Sequence, residues 1–288
     1  GLKYDSPANL GGTGEMHILT DSTGEEWLFK PGQSKGGKPE AFRAHIQEAG
    51  YKVQGIVDPD SAVKAGTGTA NIPNKGEVFG AAQKRITNID SSFDLHYWQK
   101  NGGPLSADTI AQLQRENVTD WLLCNYDSHG RNFVMTKDGK LIGVDKEQAF
   151  RYITQDSAQK MSLTYHPNKI YGETEPVYNT LYRRFADGEI DIRLNDTLTY
   201  IKRIEAIPDK EYREIFRKYA ESLYGPGDQA ENLLDTIVYR KQIVRKTYEE
   251  FYSELLTKRK GSPATFTFMD ATDAFTFTPK NPATATFT

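Results

Sequence analysis

The stretch Asp120-Trp-Leu-Leu-Cys-Asn-Tyr-Asp-Ser-His-Gly-Arg-Asn-Phe-Val-Met-Thr-Lys-Asp-Gly-Lys-Leu-Ile-Gly-Val-Asp145 organises this 288-residue chain. It begins as the apolar end of a helix and passes into a polar loop. Two short apolar segments follow, and the Gly-containing turn at residues 137–139 between them predicts a β-hairpin. This hairpin would bring Asp127, Asn132 and Asp145 into one small volume.

Two carboxylates and a carboxamide in such a place indicate a magnesium–phosphate site. Magnesium is bound through oxygen atoms, and one or two carboxylates are usually joined by water and by the phosphates of the substrate. We therefore expect strands over residues 133–135 and 141–144, with Asp127, Asn132 and Asp145 close together at this magnesium–phosphate site.

Composition indicates a globular protein with one large domain or two lobes. Hydrophobic residues make up 37% and charged residues 26% of the chain, and the net charge of -3 indicates neither a nucleic-acid partner nor an acidic membrane. No apolar run reaches 18 residues and the first residues show no signal-peptide pattern, so we expect no integral membrane contact. The single cysteine, Cys124, excludes an intrachain disulfide, reads as a core residue and favours the reducing cytoplasm.

The N-terminal residues predict a second hairpin, with strands at residues 16–19 and 27–30. Glycines ahead of the first strand can let backbone N–H groups approach phosphates, although ordinary turn glycines are the alternative. This Gly-rich run consists of Gly11, Gly12, Thr13 and Gly14. Lys30 ends the second strand, where its ammonium would meet an anion, unless it is a snorkelling surface lysine.

Residues 39–50 predict a helix, because Pro39 stands in its first turn and Gly50 closes it. Glu40 and Glu48 are its acidic candidates to pair with Lys30, and Glu40 is preferred over Glu48. Residues 51–57 and 76–86 predict strands, the second of which leaves the N-terminal part.

Helices are predicted downstream from the spacing of apolar residues. Ser106 caps the second of them. Their expected ranges are 93–100, 106–123, 173–187, 197–206, 209–224 and 228–260.

The tail from Gly261 differs in composition, since Thr-Phe-Thr occurs three times, beginning at Thr265, Thr276 and Thr286. Its alternation of polar and aromatic residues favours a strand, and an extended tail is the alternative. A functional interpretation is that its threonines are substrates, or a pseudosubstrate, in cis.

The spacing in the opening stretch is similar to that of protein kinases. Their catalytic loop carries an Asp, four residues and an Asn, followed by a hairpin and a magnesium-binding Asp. Here Asn132 follows Asp127 by five residues, and Asp145 follows Asn132 by thirteen. The loop sequence Asn125-Tyr-Asp-Ser-His-Gly-Arg-Asn132 resembles the Asn-x-Asp-x-His-x-x-Asn loop of HipA-type kinases.

Phe29-Lys-Pro31 and residues 76–98 resemble type II phosphatidylinositol 4-kinases. The resemblance to this atypical kinase superfamily covers roughly residues 9–160. It implies an α+β, bilobal protein-kinase-like fold, with a small strand-rich N-lobe over residues 1–86, a mostly helical C-lobe over 87–260, and a separate tail over 261–288. Asp145 is followed by Lys-Glu, so the activation segment of ordinary protein kinases is not implied.

The resemblance also implies a role for each site residue. Lys30, paired with Glu40, would contact the phosphates of ATP, and the Gly-rich run would cover them. Asp127 would orient or deprotonate the attacking hydroxyl, while Asn132 and Asp145 would hold magnesium. The adenine-binding hinge would consist of Gln83, Lys84, Arg85 and Ile86.

The expected function is ATP- and magnesium-dependent transfer of a phosphoryl group to a Ser or Thr hydroxyl of a protein or peptide, including the chain's own tail as a candidate acceptor. A phosphatidylinositol (lipid) kinase is the first alternative. A non-catalytic nucleotide-binding interaction module is the second.

Overall fold

The computed structural model describes residues 1–8, 14–151, 175–261 and 275. The chain divides into two compact units. Unit 1 consists of Gly1–Asn88, Asp145–Ala149 and Pro208–Val238, and unit 2 consists of Ile89–Val144, Phe150–Ile207 and Tyr239–Thr288. Unit 1 therefore includes two segments, 145–149 and 208–238, that the predicted N-lobe over residues 1–86 did not contain.

Unit 1 is built on a five-stranded antiparallel sheet in the order β1-β2-β3-β5-β4. The strands are β1 (Lys3–Pro7), β2 (His17–Thr20), β3 (Glu26–Pro31), β4 (Ala65–Ile72) and β5 (Gly76–Lys84). Leu19, Phe29 and Ile72 form a buried apolar cluster on one face, because alternate residues of a strand point to the same side. The predicted strands at residues 16–19, 27–30 and 76–86 are thereby confirmed.

Helix α1 (Ala41–Val57) lies against β4 and β5 and is longer than the sequence suggested. The predicted strand over residues 51–57 is wrong. Val53 and Val57 continue the buried stripe that begins at Ile46, so tertiary packing carries the helix past the expected stop at Gly50.

Two predicted long helices are each divided in the structure. Residues 209–224 form α6 (Asp209–Ile215) and α7 (Arg217–Tyr224), and the second of these packs against α1. Residues 228–260 form α8 (Asp228–Gln242) and α9 (Val244–Lys258). The helices are interrupted at Phe216 and Ile243, where ψ is close to zero and the backbone departs from α-helical geometry. The spacing of apolar residues does not reveal these interruptions, because it continues through them.

Unit 2 is mostly helical and contains the predicted hairpin. Its strands are β6 (Phe133–Met135) and β7 (Leu141–Gly143), which pair antiparallel. The helices that lie wholly within it are α2 (Leu95–Asn101), α3 (Ala107–Leu122), α4 (Val177–Ala186), α5 (Thr197–Glu205) and α9. Ser106 caps α3 as expected, since its Oγ accepts the Thr109 N–H at 3.0 Å.

Tyrosine hydroxyls form a buried hydrogen-bonded network between the helices of unit 2. The Tyr248 hydroxyl donates to Asn117 Oδ1 at 2.7 Å. The Tyr252 hydroxyl lies 2.6 Å from Thr197 Oγ1 and 2.9 Å from the Tyr182 hydroxyl. Burial raises the pKa of Tyr252 to about 12, against the opposing effect of these hydrogen bonds. The network therefore holds α5 and α9 in one fixed geometry.

The expected α+β class is confirmed, with an antiparallel, strand-rich N-terminal part and a helical C-terminal part. None of the described helices combines the length and the apolar composition needed to cross a membrane. Cys124 is buried, as its apolar surroundings predicted.

Candidate functional site

The polar loop of unit 2 is anchored to the end of α3 by Asp120. One carboxylate oxygen of this buried residue accepts the Asn125 side-chain N–H at 2.9 Å, and the other accepts the Tyr178 hydroxyl at 2.5 Å. Cys124, between Asp120 and Asn125 in the sequence, has a positive φ of 49°, which lets the chain turn sharply out of the helix. The loop therefore starts from a fixed position.

Asp127 and Asn132 are brought together within this loop. The Asn132 side-chain Nδ2 donates to the Asp127 carbonyl at 2.6 Å, and the Val144 N–H donates to the Asn132 carbonyl at 2.8 Å. Because Nδ2 is used in this way, the carboxamide presents Oδ1 as the atom suited to a cation. The loop thus brings Asn132 next to Asp127 through a contact between the Asn132 carboxamide and the Asp127 backbone carbonyl.

His129 contacts the carboxylate of Asp127 and was not assigned a role from the sequence. Its Nδ1 accepts the Arg131 N–H at 3.2 Å, which places the proton of a neutral ring on Nε2. This Nε2 lies 3.4 Å from Asp127 Oδ1. The ring is therefore arranged to orient the Asp127 carboxylate, and the loop motif with His two residues after Asp was the signal for it.

Gly130 is required by the close approach of the loop to α2. Its N–H donates to Gln99 Oε1 at 2.9 Å. A Cβ at this position would lie 2.5 Å from the backbone N and Cα of His96, so no larger residue fits without a shift of the backbone. The loop is thus held from α2 as well as from α3.

Lys30 in unit 1 lies against two carboxylates. Its Nζ is 3.3 Å from Asp145 Oδ1 and 2.5 Å from Glu147 Oε2, and the lysine and glutamate side chains are 24% and 10% exposed. Burial by itself would lower the pKa of Lys30, but the charges of Asp145 and Glu147 outweigh it and raise the pKa above its ordinary value. Lys30 is accordingly a charged group in the whole neutral pH range.

The expected pairing of Lys30 with Glu40 is wrong. The Glu40 carboxylate binds Arg43 Nε at 2.5 Å, because Arg43 is one helical turn further along α1. Arg43 also reaches Glu147 Oε1 at 3.3 Å, so the helix supplies a cation that holds the true partner of Lys30. One indication in the sequence that Glu147 could pair with Lys30 is its position two residues after Asp145.

Asp145 has an unusual backbone conformation. Its φ is 62°, in the left-handed region that residues other than glycine seldom adopt. Its N–H donates to the Tyr51 hydroxyl at 3.2 Å, and this hydroxyl donates to Gln83 Oε1 at 2.8 Å. Strain of this kind persists only where surrounding contacts impose it, and it clusters at functional sites.

The predicted hinge residues are partly used by the sheet. The Lys84 N–H donates to the Lys64 carbonyl at 2.8 Å, and the Arg85 N–H donates to the Glu26 carbonyl at 3.0 Å. These two N–H groups are therefore not offered to a purine. Ile86 lies beyond the end of β5, and its role in binding adenine stays a prediction.

Most of the predicted Gly-rich run, residues 11–13, lies outside the described residues. Gly14 is described, and next to it Glu15 forms a cluster of contacts. One Glu15 oxygen is 2.7 Å from His17 Nε2, and the other is 2.5 Å from Lys75 Nζ and accepts Gln33 Nε2 at 3.0 Å. Partial burial would raise the pKa of Glu15, but these contacts lower it to about 2.

We expect Glu15→Gln to remove a pH-dependent contribution to stability. A lowered pKa means that this contribution is present above the ordinary value near 4.5 and is lost as the pH falls toward about 2. The variant should be less stable by about 1 kcal/mol at pH 6.5, a figure reduced for solvent screening. Urea unfolding at pH 6.5, 4.5 and 3.5 should show this gap shrinking. Glu25→Gln, at an exposed carboxylate, is the control, and a gap that stays constant with pH would contradict the prediction.

The donor atoms fit magnesium held together with a phosphate ligand. Among the residues the structure describes, no three His, Cys, Asp or Glu side chains form a ready metal cluster. Magnesium bound to a nucleotide needs fewer protein ligands, since phosphates and water fill most of its shell. Within unit 1, the Asp145 carboxylate is an oxygen ligand of the type that this ion takes. Within unit 2, the Asn132 carboxamide oxygen is another.

Comparisons with known proteins return kinase structures at low similarity. No protein-family model matches the chain, and no curated protein is significantly similar to it. A Helicobacter pylori proinflammatory kinase, CtkA, is 13% identical over 88% of this chain and 95% of its own, with a TM-score of 0.46. The Golgi casein kinase is 11% identical over 86% of this chain and 74% of its own, with a TM-score of 0.45. A likeness at this level carries no conclusion about function.

Proposed function

We propose that this chain is an ATP- and magnesium-dependent phosphotransferase that acts on Ser or Thr hydroxyls of a protein or peptide. The observation that carries the proposal is the cluster of Lys30, Asp145 and Glu147. It sets a charged, half-buried ammonium beside a carboxylate whose backbone is held at φ 62°. A cation for phosphates next to an oxygen ligand for magnesium is what phosphoryl transfer requires.

Each residue has a distinct role in this proposal. The Lys30 ammonium neutralises phosphate oxygens, and Asp145 and Asn132 Oδ1 would hold the metal. Magnesium, when bound, supplies charge neutralisation at the phosphates. Asp127, oriented by His129, accepts a hydrogen bond from the acceptor hydroxyl and takes its proton as the new P–O bond forms and the bond to ADP breaks.

The direct test uses γ-labelled ATP with magnesium and three acceptors: the chain itself, a mixture of Ser/Thr peptides, and phosphatidylinositol vesicles. We expect label on protein or peptide hydroxyls, located by mass spectrometry. Label on the lipid alone would make the chain a lipid kinase. Nucleotide binding without transfer to any acceptor would favour the non-catalytic module.

Lys30→Met should lower the rate of transfer about 100-fold, because it removes a preorganised charge from the phosphates. Lys52→Met is the matched control, since this lysine is 53% exposed on α1 and pairs only with Glu48 in its own helix among the described residues. Transfer rates that are equal in the two variants would contradict the role of Lys30.

Arg43 should act on the nucleotide through Glu147. We expect Glu147→Gln to raise the Kd for ATP about tenfold and Arg43→Met to raise it about threefold, with a double variant no worse than Glu147→Gln alone. The reason is that Arg43 contacts Glu147, which in turn positions Lys30. Titration with a fluorescent nucleotide measures the Kd of the wild type, the two single variants and the double variant. Arg217→Met, which breaks pairs with Glu214 and Glu231 elsewhere in unit 1, is the control, and additive effects would rule out this coupling.

A further inference from the structure

One residue of the C-terminal tail, Phe275, is buried in unit 2. Its side chain is 3% exposed. Its ring meets Tyr252 edge to face, with the centroids 5.5 Å apart and an interplanar angle of 89°. This is a favoured geometry for an aromatic pair. Phenylalanine has no hydroxyl that could accept a phosphoryl group, so the burial of Phe275 needs an explanation of its own.

The binding place of Phe275, formed by Tyr252 and Asn195 and called the seat below, also offers polar contacts to a peptide backbone. Asn195, in the short turn Leu194–Asp196 before α5, accepts the Phe275 N–H through Oδ1 at 3.5 Å. The Nδ2 of the same carboxamide is buried and has no hydrogen-bond partner among the described residues. A carboxamide with one acceptor and one donor matches the N–H and C=O groups of a peptide. The unsatisfied donor therefore points to a peptide ligand at this place.

The residues around Phe275 are also held by contacts with one another. The Tyr252 hydroxyl is bound by Thr197 at 2.6 Å and by Tyr182 at 2.9 Å, and the Tyr182 ring packs edge to face on Phe251 with centroids 4.9 Å apart. These residues lie on α4, α5 and α9, which fix the wall against which Phe275 packs. A preformed aromatic wall reduces the entropy cost of binding a peptide side chain.

We propose that this seat is a docking site for a phenylalanine in a Thr- and Ala-rich peptide, and that the chain's own tail occupies it in cis through Phe275. In the sequence, Phe275 stands between Ala274 and Thr276. Residues 262–274 join Phe275 to the rest of the same chain, so the tail competes at the high effective concentration of an intramolecular ligand, and a peptide in trans has to displace it. The site binds a peptide independently of any phosphoryl transfer.

Binding in trans tests the proposal on the full-length chain. The probe is a fluorescent peptide of residues 270–280, titrated by anisotropy into the wild type, Phe275→Ala and Phe277→Ala. The emptied seat of Phe275→Ala should bind it at least about tenfold more tightly than the other two chains, in which the tail competes. The same peptide carrying Phe275→Ala should lose binding, and the peptide carrying Phe277→Ala should keep it. Equal binding by all three chains would overturn the proposal.

A second measurement uses the wild type alone, so it does not depend on how a variant folds. Chymotrypsin cleaves after phenylalanine, and the tail carries this residue at positions 266, 268, 275, 277 and 287. The bond after Phe275 should be cut at least about tenfold more slowly than the bond after Phe266, which is also followed by a threonine, because cleavage requires the anchor to leave its seat. Cleavage of the two bonds at equal rates would also overturn the proposal.

Discussion

Asp127→Asn is expected to lower kcat for phosphoryl transfer about 1000-fold, with the KM for ATP changed less than about threefold. The carboxylate is directed by His129 Nε2 at 3.4 Å, and its own residue is tied to Asn132 through the carbonyl at 2.6 Å. Asparagine preserves the shape of the side chain and the backbone contact but cannot take the proton of the acceptor hydroxyl. Steady-state kinetics with a peptide acceptor measures both constants.

Asp138→Asn serves as the control for this experiment. Asp138 is an exposed residue in the turn of the same hairpin, where it accepts the Thr136 hydroxyl at 2.5 Å. The substitution removes one negative charge, as Asp127→Asn does, but from the turn of the hairpin that follows the loop of Asp127. If Asp127→Asn kept more than a tenth of the wild-type kcat, the assignment of Asp127 as the base would fail.

Gly80→Ala is expected to destabilise unit 1 by about 3 kcal/mol, the upper part of the range for overpacking a filled site. A Cβ at Gly80 would fall 2.6 Å from the Phe29 ring and within van der Waals overlap of the Lys30 carbonyl oxygen, across the β3–β5 pairing. Relief requires the backbone of β3 to move where it carries Lys30. Urea unfolding measures the loss of stability, and a weaker affinity for ATP should accompany it.

Gly68→Ala is a matched control, because Gly68 is the residue directly opposite Gly80 on β4. Nothing lies within 4 Å of a Cβ at Gly68. We expect that variant to stay within about 0.5 kcal/mol of the wild type, as is usual for a substitution with no steric conflict. Equal stability of the two variants would show that β3 yields easily at Lys30.

Several features of the site could be predicted because they depend on neighbours in the chain. The hairpin of β6 and β7 follows from two apolar segments around a Gly-containing turn, and α3 follows from a Ser cap and a helical apolar period. The proximity of Asp127 and Asn132 follows from the short loop that contains both. β3 ends at Pro31, one residue after Lys30, close to the end that the proline indicated.

Other features depend on residues that are distant in the sequence. Lys30 pairs with Glu147 rather than Glu40 because Arg43 lies one turn from Glu40 and captures it. Charge pairing depends on distances in the folded chain. The sequence offered Glu40 and Glu48 of the predicted helix over residues 39–50, and neither is the partner. The support of Asp145 by Tyr51 depends on α1 continuing past Gly50, which helix-stop signals did not predict.

Local periodicity, capping residues and turn glycines were thus sufficient for most strands and for the start of α3, whereas the α+β class was expected from the resemblance to atypical kinases. Their physical basis is short range, since each acts within a few residues of the backbone. The partner of Lys30, the positive φ of Asp145, the breaks at Phe216 and Ile243 and the burial of Phe275 required the folded structure. Each of these results from packing between segments that the chain order does not bring together.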